Sequence, residues 1–113
     1  MEIDVRNRAG VNLIRLRGDL KMGQPVDSLR QAIDETTDGG GYQLVLNLTD
    51  VPMVDSSGIG VLVRTLTSVK QRGGSLKLVN PSKFTTQTLK LVGVLNLFEV
   101  FSDEEQALNS FAS

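Results

Sequence analysis

The chain has 113 residues, 40% hydrophobic and 22% charged, with 12 Lys and Arg against 13 Asp and Glu for a net charge of −1. That size and composition fit one globular domain spanning residues 1–113, and the near-neutral balance gives no electrostatic footprint for nucleic acid or anionic lipid. Cysteine and histidine are absent, which removes disulfides, thiolate nucleophiles, the commonest metal ligands and the commonest general base, and with them hydrolases of the Ser-His-Asp kind. No metal, cofactor or enzymatic turnover is expected.

The opening Met1-Glu2-Ile3-Asp4 lacks the basic and apolar regions of a signal peptide. No apolar run approaches the roughly 20 residues that span a bilayer, so a cytoplasmic protein without membrane insertion is expected. Ile3–Arg8 and Val11–Arg17 read as two short strands around Ala9-Gly10, an antiparallel hairpin. Asp19–Gln24 reads as a loop, and Pro25 suits the first turn of a helix over Pro25–Thr37 that buries Val26, Leu29 and Ile33. Gly39-Gly40-Gly41 stops it.

Tyr42–Leu48 alternates, with Leu44, Leu46 and Leu48 on one side and Val45 and Asn47 on the other, the pattern of a strand. After the connection Thr49–Val54, the apolar residues Ile59, Leu62, Val63, Leu66 and Val69 mark an amphipathic helix over Ser57–Gln71. Its outer face is expected to carry Arg64, Thr65 and Ser68. Gly73-Gly74 closes it, and Ser75–Val79 forms another strand. Asn80-Pro81-Ser82 starts a third helix ending near Val92-Gly93, and Leu97–Phe101 forms a short last strand. Ser102 with Glu105 matches a capping box before a final helix that buries Ala107, Leu108 and Phe111.

This order, β-β-α-β-α-β-α-β-α, predicts a single α/β domain. Its sheet is mixed but mostly parallel, with an N-terminal antiparallel pair and about four helices. In such sheets the loops at the carboxyl ends of the strands share one edge. If the second and third strands are neighbours, Gly18–Gln24 and Thr49–Gly58 form one surface centred on Ser56.

Ser56 stands in Asp55-Ser56-Ser57-Gly58-Ile59-Gly60, where a loop enters a helix. Unsatisfied N–H groups and the helix dipole favour negative charge at such a point, so a phosphate is compatible with it. Asp55 or Ser56 as a simple N-cap is the plainer reading of the local sequence. Catalysis by this serine lacks a base, since there is no histidine and no lysine nearby in sequence. Gly58-x-Gly60 lacks the third glycine of a dinucleotide fingerprint. Both glycines leave the backbone open to close approach, and Met53 beside the site reads as core or as an exposed apolar anchor.

The stretch Leu44-Val45-Leu46-Asn47-Leu48, followed by Val51-Pro52-Met53-Val54-Asp55-Ser56-Ser57-Gly58-Ile59-Gly60-Val61-Leu62, resembles the core signature of STAS domains. It is most similar to bacterial anti-sigma factor antagonists, and the likeness extends over nearly the whole chain. The resemblance implies a STAS-like fold. It also implies a binding protein that, when unphosphorylated, engages an anti-sigma factor serine kinase and releases a sigma factor. Ser56 then becomes the phosphorylated residue, with Ser57 the lesser candidate, and a serine phosphatase restores binding. Asp55, Ser57, Gly58, Ile59, Gly60, Lys21 and Met53 become the partner-binding set. The alternative is a STAS interaction subunit or scaffold that is never phosphorylated, such as a partner of a lipid-transport ATPase or a component of a signalling assembly. One departure stands out. Members often read Gly-x-Leu-Asp after the second strand, whereas this chain reads Gly18-Asp19-Leu20-Lys21, and a lysine near Ser56 would attract a phosphoserine.

Overall fold

A computed structural model describes residues 1–111. Strands β1 (Glu2–Arg8) and β2 (Val11–Arg17) form the expected hairpin, joined by Ala9 and Gly10 at φ 54° and 85°. Positive φ at both turn residues matches the twist of the paired strands, and Ala9 accepts the strain that Gly10 does not feel. The chain continues through α1 (Gln24–Asp38), β3 (Gln43–Asp50), α2 (Ser56–Gln71), β4 (Ser75–Val79), α3 (Lys83–Leu91), β5 (Glu99–Phe101) and α4 (Glu104–Asn109). Its five strands lie in the order β1-β2-β3-β4-β5, antiparallel for the first pair and parallel thereafter.

Alternation sorts the strand residues onto two faces. Ile14, Leu16, Leu44, Leu46, Leu48, Leu76 and Leu78 join Leu29, Ile33, Leu62, Leu66 and Leu89 of α1, α2 and α3 in the main core. Val11, Leu13, Val45 and Val79 face the other way, onto Ala107 of α4. Pro25 lies in the first turn of α1 as expected, and Gly39 ends that helix.

Two expectations need correction near the C-terminus. The last strand is shorter, because Leu95–Leu97 forms a 3-10 turn that delivers buried Phe98 to the main core, and pairing with β4 begins only at Glu99. The capping box is displaced by one residue. Asp103, not Ser102, caps α4, its carboxylate accepting from the Gln106 N–H at 2.9 Å, while the Ser102 hydroxyl donates to Gln106 Oε1. That frame turns Glu104 inward to Arg15 and Asn47 and frees Glu105 to meet Arg8.

Candidate functional site

Because β2 and β3 are parallel neighbours, the segments that follow them leave the same edge of the sheet. They are stitched together rather than merely adjacent. The Gly18 N–H donates to the Asp50 carbonyl at 3.0 Å, Leu20 N–H to Met53 at 2.9 Å, and Asp55 N–H to Leu20 at 3.1 Å. Leu20 and Val54 pair as a parallel bridge, and both are buried. The two loops thus extend the sheet by one rung and hold each other in register.

Asp55 completes the junction. One carboxylate oxygen accepts from the Gly58 N–H at 3.0 Å, which caps α2. The other accepts from the Met22 N–H at 2.9 Å, which ties down the facing loop. The Gly58 and Met22 N–H groups hold this carboxyl below the usual carboxylate range, with the charge of Lys21 a smaller contribution, and prevail over the opposing effect of burial. Of the two capping candidates, Asp55 is the cap. Ser56 is therefore the first helical residue, exposed, with Ser57 half-buried behind it.

Gly58 has a steric reason to be glycine. A β-carbon there would lie 2.7 Å from Val54 Cγ1 and 2.9 Å from both Cγ and the carbonyl oxygen of Leu20. Its missing side chain admits the chain's own loop, so α2 can start directly beneath the bridge. Ile59 is buried in the main core, and Gly60 is half-exposed. Lys21, Met53 and Ser56 are all exposed on the shared edge. Met22, which sequence reasoning passed over, is 75% exposed beside them, against 48% for Met53. Its signal was a second large apolar residue in the short loop, between Lys21 and Gly23. Thr65 departs from expectation. It is buried in the groove against α1, with Arg64 and Ser68 exposed at the rim of the same groove.

A family model described as the STAS domain matches residues 2–107. The chain belongs to the STAS domain family. The anti-sigma F factor antagonist of Paenibacillus polymyxa is 26% identical over 109 residues, covering 96% of this chain and 92% of that one. An anti-sigma-B factor antagonist of Bacillus subtilis is 29% identical over 106 residues, covering 93% and 94%. Among solved structures, the Bacillus cell fate determinant SpoIIAA in its phosphorylated form superposes with a TM-score of 0.78 at 22% identity, covering 97% of this chain and 99% of that one. At that identity the likeness speaks to the fold.

In this STAS domain the exposed edge presents the Ser56 hydroxyl. Among the described residues no group of three or more acidic side chains is gathered to hold a metal ion, and no helix is long and apolar enough to cross a membrane. What the edge offers is a rigid platform. A serine stands on the first turn of a helix, an ionised aspartate lies beneath it, and two methionines sit on the loops around it.

Proposed function

We propose that the protein is an anti-sigma factor antagonist that binds an anti-sigma factor serine kinase through the Ser56 edge and is switched off by phosphorylation of Ser56. The unmodified form releases the sigma factor, and a serine phosphatase resets the switch. The reading is carried by one observation: Ser56 is an exposed hydroxyl at the start of a helix whose entry is fixed by Asp55. The names of the two antagonists similar to this chain support it. Lys21, Met22, Met53, Ser57 and Gly60 form the partner-facing surface around the serine, and Asp55, Gly58 and Ile59 support it from below.

A phosphate adds about −1.5 to −2 charge at neutral pH. On this surface it would stand next to the ionised Asp55 and between apolar contacts, where a partner must desolvate it on docking. Incubation with the cognate kinase and ATP, followed by mass mapping, is expected to place phosphate on Ser56 and to find none in Ser56→Ala. Phosphate mapped only to other positions would overturn the assignment.

A further inference from the structure

A phosphate on Ser56 needs a counter-charge, and the helix end no longer supplies one in full. Asp55 already takes the N–H groups of Gly58 and Met22 and stays ionised beside the serine. The added charge would therefore face a negative neighbour at close range. Lys21 lies on the facing loop and acts on Asp55 only weakly.

Arg64 is differently placed. Its guanidinium lies back along α2 over Gly60, with Nη1 and Nη2 each 3.8 Å from the point a β-carbon would occupy there. Gly60 is the i+4 neighbour of Ser56 and the i+3 neighbour of Ser57, positions about 5–6 Å apart at Cβ on a helix surface. The guanidinium thus rests one turn below the serine, on the exposed side. Among the described residues, the ion pairs engage Arg6, Arg8, Arg15, Arg17 and Lys77 but not Arg64. Its planar fork suits two oxygens of one phosphate. Absence of a side chain at Gly60 leaves its path up the helix clear.

We propose that Arg64 is the internal counter-charge of phosphorylated Ser56, rising from its position over Gly60 to pair its guanidinium with the phosphate oxygens. The inference rests on Ser56 being the modified residue. The pair holds the phosphate along α2 and favours its doubly ionised form. Asp55 beside the phosphate, Asp19 and Lys21 on the facing loop, and Arg30 and Asp34 on α1 across the groove make up its charged surroundings.

The test installs phosphoserine at position 56 during translation, so that no kinase is needed, and follows the phosphate by phosphorus NMR against pH at low salt. The second ionisation, which lies near neutral pH, is expected to occur about 0.2–0.7 pH unit higher in Arg64→Gln than in the unsubstituted protein, the size an exposed ion pair supports. In about 1 M NaCl the difference should shrink. Ser68→Ala, on the same exposed face, should leave the curve unchanged. Coincident curves for Arg64→Gln and the unsubstituted protein, or an equal shift in Ser68→Ala, would overturn the pairing. Failure of the switch itself reads out separately, as undiminished binding of an anti-sigma factor by the phosphorylated protein.

Discussion

The two faces of the sheet are covered by different physics. One is sealed by α1, α2 and α3 through a continuous apolar cluster that includes Leu29, Leu46, Leu62, Leu78 and Leu89. Among the described residues the other is covered by the short α4, which buries Ala107 with Phe101, Leu108 and Phe111 half-buried around it, and charged contacts flank that smaller cluster. Arg15 grips Glu104 through two bonds of 2.8 Å, Asn47 adds one of 2.6 Å, and Arg8 meets Glu105 at 2.9 Å. Lys77, buried in the sheet, donates to Ser110 at 2.7 Å and lies 4.1 Å from the Phe111 ring centroid. The Ser56 edge belongs to the first face: Leu20, Val54 and Ile59 tie it into the main core. The site is therefore built on the main core, whereas α4 packs on the opposite face of the sheet.

The comparison breaks most readily at Gly58. Gly58→Ala forces a β-carbon into Leu20 and Val54, and overpacking of this kind costs about 1–3 kcal/mol. Chemical denaturation should show that loss, together with weaker partner binding, because the two loops are pushed apart. Unchanged stability would mean that the loops are not locked as described.

On the opposite face, Glu104→Gln keeps the shape but removes the charge facing Arg15. A loss of about 1–2 kcal/mol is expected from hydrogen bonds to a charged group, read as faster amide exchange in α4 while β3 stays protected. The Arg15 guanidinium, with Asn47, holds the Glu104 carboxyl below its usual range against the opposing effect of burial. A lowered folded-state pKa contributes stability above the unfolded value, about 4.3, and loses it as pH falls through the folded value. Protection factors in α4, taken relative to the slower intrinsic exchange in acid, should accordingly fall below about pH 4. Asp55 follows the same sign, but its partners are backbone N–H groups fixed by the fold, so its junction should resist high salt better than α4 does.

The smallest effect is expected at Lys77. Lys77→Met replaces a buried cation with an apolar chain of similar length, and because its partner Glu99 is largely exposed no buried charge is left unpaired. A shift within about 1 kcal/mol in denaturation would agree. A larger loss would make the contacts to Ser110, Glu99 and Phe111 a main fastening of α4.

The first face was legible in the sequence because its rules are local. Leu44, Leu46 and Leu48 alternate with Val45 and Asn47, and the i,i+3/i+4 run from Ile59 to Val69 marks α2. The position of Ser56 on the sheet edge followed from topology alone. What escaped the sequence depends on distant partners. Arg15 and Glu104 are 89 positions apart, and nothing near Ser102 reveals that the α4 cap belongs to Asp103. Gly58 looked like an opening for a partner, and only the packed loops show Leu20 and Val54 filling that space. Thr65 has the polarity of a surface residue, but the approach of α1 buries it.

The most direct test of the proposed switch is calorimetric titration of a cognate anti-sigma factor kinase with the protein carrying serine or phosphoserine at position 56. Binding by the phosphorylated form is predicted to be at least about tenfold weaker, a difference of ~1.4 kcal/mol, with the fold unchanged by circular dichroism. Equal affinity of the two forms would contradict the account.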